Sequence, residues 1–285
     1  MQIVDIEQAA ELLKAGINVA FPTETVYGLG ARVFDEKSVQ NIFRMKGRPS
    51  DNPLICHIAT LDQIHLLARE VPKHALALAQ KYWPGPLTIV LKKHPSVPRC
   101  VTGGHDTVAI RMPNHPLALQ LIEMVGPLVG PSANLSGSPS STTAQHVLAD
   151  FAGMEGAVLD GGPCREGIES TVISLVSETP TLLRPGVIPL PYHLGHDASP
   201  GTRYKHYAPK AKINIYSSFN QVHASSEKRF FMTTFSHPDY HHMTSATFYA
   251  LLRQADAELC TEIVVVAGEM CEGLKDRLLR AANTR

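Results

Sequence analysis

The sequence predicts an α/β protein of the mixed α+β kind, a twisted open sheet with flanking helices, followed by a smaller α/β unit. Three observations carry this. Short apolar runs of strand character alternate with segments of helical periodicity from residue 6 to residue 184. A stretch at 193–210, rich in His, Gly, Ser and Pro, has no periodicity, and a second strand–helix alternation follows it. Of the 285 residues, 44% are hydrophobic and 18% charged, enough to bury a sizeable core in one large domain or in a large and a small one.

The first helix is expected over 6–16, where Ile6, Ala9, Ala10 and Leu13 recur at helical spacing and Gly16 supplies a left-handed stop. A buried strand at 18–22 delivers its end to Thr23-Glu24-Thr25. Helical periodicity returns at 38–45 and 61–70, with an apolar strand at 54–58 between them. Strands at 87–92 and 108–112 flank the Gly103-Gly104 turn. Helices at 117–125 and 144–151 interleave with strands at 128–130, 157–160, 171–175 and 181–184. In the tail, strands at 212–216, 228–232 and 263–267 and helices at 248–258 and 276–282 form a βαβ-type unit of about 75 residues.

Bulk properties exclude several classes. Lys plus Arg (26) equals Asp plus Glu (26), so neither a general nucleic-acid coat nor a polybasic membrane binder fits, although a local basic pocket does. Five cysteines are scattered without a CxxC pair, which points to reduced thiols rather than a disulfide framework or a zinc site. The first residues lack the basic and apolar regions of a signal peptide, and no apolar run approaches the ~18–20 residues of a membrane span. A cytoplasmic location is expected.

Four clusters concentrate chemistry. In 21–30, hydroxyls, a carboxylate and glycines gather where a buried strand ends, a common ligand position that also suits a plain polar turn. In 46–57, Lys46 and Arg48 stand two apart on a Gly- and Pro-constrained loop able to hold polyphosphate oxygens; in isolation, a solvated basic turn is the stronger reading. In 130–137, Ser132 and Asn134 offer hydroxyl, amide and backbone donors without bulk, as a phosphate or carboxylate requires; a loop and helix cap is the competing account. In 165–186, Ser170 and Thr171 open a strand and Arg184 closes the next. The sequence has no GxxxxGK[ST], GxSxG or HExxH motif, and Val33 replaces the third glycine of a dinucleotide fingerprint. His237, His241 and His242 read as a histidine-rich loop before they read as metal ligands.

Taken in this order, the clusters resemble the YrdC/Sua5 family of threonylcarbamoyl-AMP synthases from about residue 6 to residue 189. Lys46-Gly47-Arg48 with Ser132-Ala133-Asn134 is similar to the family's KxR…SxN signature, and 168–187 is a close likeness. Pro131 stands where many members carry threonine. The segment 199–209 resembles the linker of the longer Sua5 type, which precedes a small Rossmann-like domain; the tail after 210 is shorter than usual. The resemblance implies a YrdC-like catalytic domain at 1–195, a linker over the active site at 196–210 and a Sua5-type domain at 211–285. It implies that Thr25, His57, Arg111 and Ser170 surround L-threonine. Lys46, Arg48, Asn52, Thr107, Ser132, Ala133, Asn134, Ser141, Arg184 and Tyr207 would line the ATP side, with Lys46 and Arg48 catalytic and no protein-held metal.

The implied reaction joins L-threonine, bicarbonate or carbon dioxide, and ATP to give threonylcarbamoyl-AMP and pyrophosphate, with Mg²⁺ assisting. Its product would serve a downstream transferase that modifies adenosine 37 of tRNA, and direct tRNA contact is a further expectation. Two other readings remain. A non-catalytic RNA-binding module would bind tRNA in a salt-dependent way without ATP turnover, but zero net charge and few stacking aromatics speak against it. A related carbamoyl-adenylate enzyme would differ by having no threonine requirement.

Overall fold

The computed structural model describes residues 1–195 and 207–282. Most of the expected linker, residues 196–206, lies outside the described residues.

Two sheets organise the chain. The strands of the larger one are β1 (Gln2–Val4), β2 (Val19–Phe21), β3 (Gly28–Arg32), β4 (Ile55–His57), β5 (Leu87–Lys92), β6 (Thr107–Arg111), β7 (Leu128–Val129), β8 (Ala157–Leu159), β9 (Thr171–Ser174) and β10 (Thr181–Arg184). Their spatial order is β1-β8-β2-β3-β7-β4-β6-β5-β9-β10. β8 pairs in parallel with both β1 and β2, β4 with β6, and β5 with β9; the remaining pairs are antiparallel. Parallel and antiparallel pairs mixed in one open sheet are the α+β pattern read from the sequence.

Helices α1 (Ile6–Lys14), α2 (Glu36–Lys46), α3 (Ile64–Leu67), α4 (Lys73–Tyr82), α5 (Pro116–Val125) and α6 (Ala144–Asp150) supply the apolar faces that cover it. Leu29, Ile42, Leu54, Ile64, Ile89, Ile110, Val129 and Phe151 belong to the main core. Ala9, Ala10, Leu13, Val19, Phe21, Leu121 and Ile122 form a second one. Only a small cluster of Ile55, Val90, Ala109, Val172 and Leu183 forms separately on β4, β5, β6, β9 and β10.

Local chemistry sets the ends of the elements that matter. Asp35 caps α2 by accepting from Ser38 N at 3.2 Å. At the other end Gly47 adopts φ 61°, the left-handed conformation glycine accepts without steric cost, and the chain turns between Lys46 and Arg48. Lys46 is thereby buried at the helix terminus while Arg48 begins the loop.

Several elements depart from the sequence expectation. Residues 28–32, read as part of a polar turn, form β3 in the interior of the sheet. Their glycines are imposed by packing: a Cβ on Gly28 would meet the Phe21 ring at 2.9 Å, and one on Gly30 the Val19 carbonyl oxygen at 2.8 Å. Strand β1 is also unforeseen, as is α4, whose buried face is made of small residues, Ala75 and Ala79. The helix expected over 61–70 is a 3-10 turn at Leu61–Gln63 followed by the single turn of α3. By contrast, β5, β10 and the later Lys212–Tyr216 have the expected bounds.

The smaller sheet is parallel throughout, with the order β11 (Lys212–Tyr216), β14 (Glu262–Val266), β12 (Arg229–Thr233), β13 (His241–His242). Helices α7 (Phe248–Ala257) and α8 (Glu272–Ala281) accompany it; α8 begins before the expected 276. Its core of Phe230, Met232, Phe248, Leu252, Ile263 and Leu278 also takes in Val26, Ile168 and Tyr207 from outside the smaller sheet, so the two units share buried surface.

Candidate active site

The ends of β2, β4, β6 and β10 and the segments before β9 and after β7 converge on one cavity, open to solvent. Eight residues singled out from the sequence line it: Thr25, Arg48, His57, Arg111, Ser132, Ser170, Arg184 and Tyr207. They come from positions spanning 25 to 207, and it is the crossing of the sheet strands that gathers them.

At one end Arg111, the last residue of β6, is 3% exposed and held on three sides. Its Nε donates to the Gly85 carbonyl (3.2 Å), its Nη1 to Thr25 Oγ1 (2.8 Å), and its Nη2 pairs with Glu24 Oε2 at 2.7 Å. A charge pair this deep contributes rigidity more than stability, because desolvating both ions offsets most of their attraction. Beside it, the His57 ring meets Phe21 edge-on at 5.4 Å, and its Nδ1 has no partner in the protein. Burial, reinforced by the Arg111 charge, pushes the His57 pKa down to about 3, so the ring is neutral at physiological pH.

The wall also carries Arg48, Ser132, Arg184 and Tyr207. Arg48 Nη2 donates to the Pro53 carbonyl at 3.0 Å. Arg184 Nη2 donates to Ser170 O (2.9 Å) and Ser170 Oγ (3.2 Å), and Ser170 Oγ lies 2.8 Å from Thr88 Oγ1. Two guanidinium groups and a hydroxyl on one wall suit a polyanion.

Six other residues named from the sequence do not line this cavity. Lys46 is 3% exposed and lies behind the wall, donating from Nζ to Ser132 O at 2.6 Å and to Asn134 O. Burial and the nearby Arg48 charge hold its ammonium well below the usual lysine range. Ala133 and Asn134 act through the same loop: Ala133 N donates to the Tyr27 carbonyl, and Asn134 Nδ2 to Leu135 O and Ser138 O. Ser141 Oγ accepts from Arg253 of α7, and Asn52 is 1% exposed with no partner for its side-chain amide. Thr107 sits at the opposite end of β6 from Arg111, roughly 13 Å of strand away. In this structure Lys46 thus lies beneath the loop carrying Ser132 and Asn134, and Thr107 lies at the far end of β6 from Arg111.

Other residues gave no signal in the sequence. Glu169 lines the cavity and accepts from Ser140 Oγ (2.6 Å), Tyr249 OH (2.9 Å) and Arg277 Nε (2.6 Å), the last two belonging to the C-terminal unit. Arg253 forks onto Asp150 at 2.8 and 2.9 Å. Pairings across a hundred residues follow from the fold alone; only the Ile168–Thr171 likeness drew attention to this stretch.

A cavity lined by three guanidinium groups and a neutral histidine is built for small charged molecules, as in a group-transfer enzyme. Comparison with known proteins defines it further. The Sua5/YciO/YrdC family model, described as telomere recombination, matches residues 11–186, and the model for the threonylcarbamoyl-AMP synthase C-terminal domain matches 168–283. The chain belongs to this Sua5/YciO/YrdC family. A threonylcarbamoyl-AMP synthase of Pyrococcus abyssi is 51% identical over 74% of this chain and 67% of its own length. One of Bacillus subtilis is 48% identical over 74% and 66% respectively, so the alignments span about two thirds of these relatives. The crystal structure of P. abyssi Sua5 complexed with L-threonine superposes with a TM-score of 0.93 at 38% identity, covering 100% of this chain and 98% of that one. By these relationships the chain is an enzyme of the threonylcarbamoyl-AMP synthase type, a nucleotidyltransferase that uses ATP and threonine.

Proposed function

We propose that this chain makes threonylcarbamoyl-AMP with the residues of this one cavity. The observation that carries the assignment of ends is the asymmetry of the wall. L-Threonine sits at the Arg111 end, its carboxylate on the guanidinium and its hydroxyl or amine within reach of Thr25, neutral His57 and Ser170. The triphosphate lies toward Arg48, Ser132 and Arg184, with Tyr207 against the nucleotide.

The threonine amine takes up carbon dioxide, forming an N–C bond and releasing a proton to solvent. A carbamate oxygen then attacks the α-phosphorus, a new P–O bond forms, and the bond to the β-phosphate oxygen breaks as pyrophosphate leaves. The protein's task is positioning and charge neutralisation. Arg48 and Arg184 balance charge on the phosphates, and Lys46 holds Ser132 and Asn134 in place from behind. The mechanism involves no enzyme nucleophile.

Mg²⁺ enters with ATP. Glu169 on the cavity wall is engaged by Arg277, Glu24 behind it by Arg111, and among the described residues no group of three His, Cys, Asp or Glu could hold a metal. Magnesium, on this reading, would be carried by the phosphates of the substrate.

We assign residues 1–195 to the catalytic domain, 196–210 to the linker and 211–285 to the small C-terminal domain. The product serves a transferase acting on adenosine 37 of tRNA, and the reaction is placed in the cytoplasm. No described helix is long and apolar enough to cross a membrane.

Pyrophosphate release from ATP, measured with bicarbonate and with or without L-threonine, tests the reading. Release that requires both threonine and bicarbonate supports it. Release indifferent to threonine points to a related carbamoyl-adenylate enzyme, and salt-dependent tRNA binding without release points to an RNA-binding module.

A further inference from the structure

We infer that Arg277, on α8 of the C-terminal unit, is a positioning residue for ATP: it neutralises Glu169 so that the cavity can accept a triphosphate. The inference rests on the proposed function and gives the C-terminal unit a specific part in it.

Glu169 is a carboxylate on the wall of the cavity, 7% exposed and one residue before Ser170. Left alone, it would set a buried negative charge beside the site of a polyanion and would compete with phosphate for Arg184. Two like charges a few ångströms apart repel strongly where the surroundings screen them poorly. The structure answers this charge from the other unit. Arg277 Nε lies 2.6 Å from Glu169 Oε2, and the Arg277 side chain is completely buried. Tyr249 OH donates to the same carboxylate at 2.9 Å. Burial alone would raise the Glu169 pKa; the Arg277 charge, and after it that of Arg184, hold it below the usual carboxylate range, so it is ionised and needs its counter-charge.

The guanidinium is itself fixed. Its Nη1 donates to Asp276 Oδ2 at 2.6 Å, and its carbon lies 5.4 Å from the centre of the Tyr207 ring. Tyr207 in turn packs on Tyr249 at 5.4 Å and faces the cavity. One buried arginine therefore connects the small unit to both the charge and the aromatic wall of the nucleotide end. Arg111, Thr25 and His57, assigned to threonine, make no hydrogen bond or ion pair with Arg277 or Glu169.

The test is direct calorimetric binding of ATP and of L-threonine to the full chain and to Arg277→Met, Arg277→Lys and the double variant Arg277→Met/Glu169→Gln. Arg277→Met is expected to weaken ATP binding by roughly tenfold or more while threonine affinity stays within about twofold, a split that general unfolding cannot produce. Arg277→Lys, which keeps the charge, should retain most of the ATP affinity. The double variant, in which the carboxylate charge is gone as well, should recover most of what Arg277→Met loses. If the double variant binds ATP no better than Arg277→Met, or if Arg277→Met binds it as the parent does, the inference is overturned. An insoluble Arg277→Met leaves Arg277→Lys and the double variant to decide it by the same criteria. A parent chain that binds threonine but no ATP removes the proposed function itself, a result distinct from either.

Discussion

Lys46 Nζ lies 2.6 Å from the carbonyl oxygen of Ser132 and also donates to that of Asn134, so the end of α2 is fastened to the loop that follows β7. The lysine and Arg48, two residues on, consequently do different work. Lys46→Ala leaves two carbonyls short of their donor and should cost roughly 2–3 kcal/mol of stability along with activity. Arg48→Ala, on the cavity wall, should abolish most synthesis with a stability loss of about 1 kcal/mol or less. Urea unfolding of the two variants beside pyrophosphate release checks this; equal destabilisation by both would contradict the division.

The Glu24–Arg111 pair gives a second prediction. Glu24→Gln leaves the buried guanidinium without its counter-charge and should lower stability by roughly 3–5 kcal/mol, while Glu24→Gln/Arg111→Met should recover much of it. Arg111→Met should also erase the rise in melting temperature that L-threonine gives the parent chain. Thermal unfolding with and without threonine reports both effects, and a threonine shift preserved in Arg111→Met would remove that residue from the binding site.

Histidine burial sets the third. Burial holds His57 at about 3 and His146 at about 4, against 6.5 for an ordinary histidine. Between those values the unfolded chain takes up protons that the folded chain refuses. Stability is therefore full above pH 6.5 and declines as pH falls through the window, by at most about 1.4 kcal/mol per pH unit for each ring. His57→Gln should flatten the slope between pH 6.5 and 4 in denaturant titrations, and an unchanged slope would show that the ring protonates freely in the folded state.

What the sequence disclosed depended on how local the cause was. The alternation in Leu87–Lys92 and Thr181–Arg184 carries its own strand signal, and both strands have the bounds it predicts. The requirement for Gly28 and Gly30 is set by the Phe21 ring on the neighbouring strand, a contact that comes from the antiparallel pairing of β2 with β3 and not from local periodicity. The site divides in the same way. Thr25, His57, Arg111 and Ser170 are the four that the family resemblance assigns to threonine, and they line one cavity. Glu169 and Arg277 are ordinary charged residues in the sequence and become a pair only once α8 packs against the segment before β9. Lys46 was recognisable as important, but the direction of its side chain depended on how Gly47 ends the helix.

The position of β8 has a consequence for biosynthesis. It lies between β1 and β2, which precede it by some 140 residues, and it pairs with both. A chain leaving the ribosome exposes β1 and the free edge of β2 long before the strand that joins them exists. At ordinary translation speeds that interval is on the order of ten seconds. The N-terminal segment is thus a natural client for a holding chaperone, and a ribosome stalled before residue 157 would display an unpaired strand edge open to aggregation.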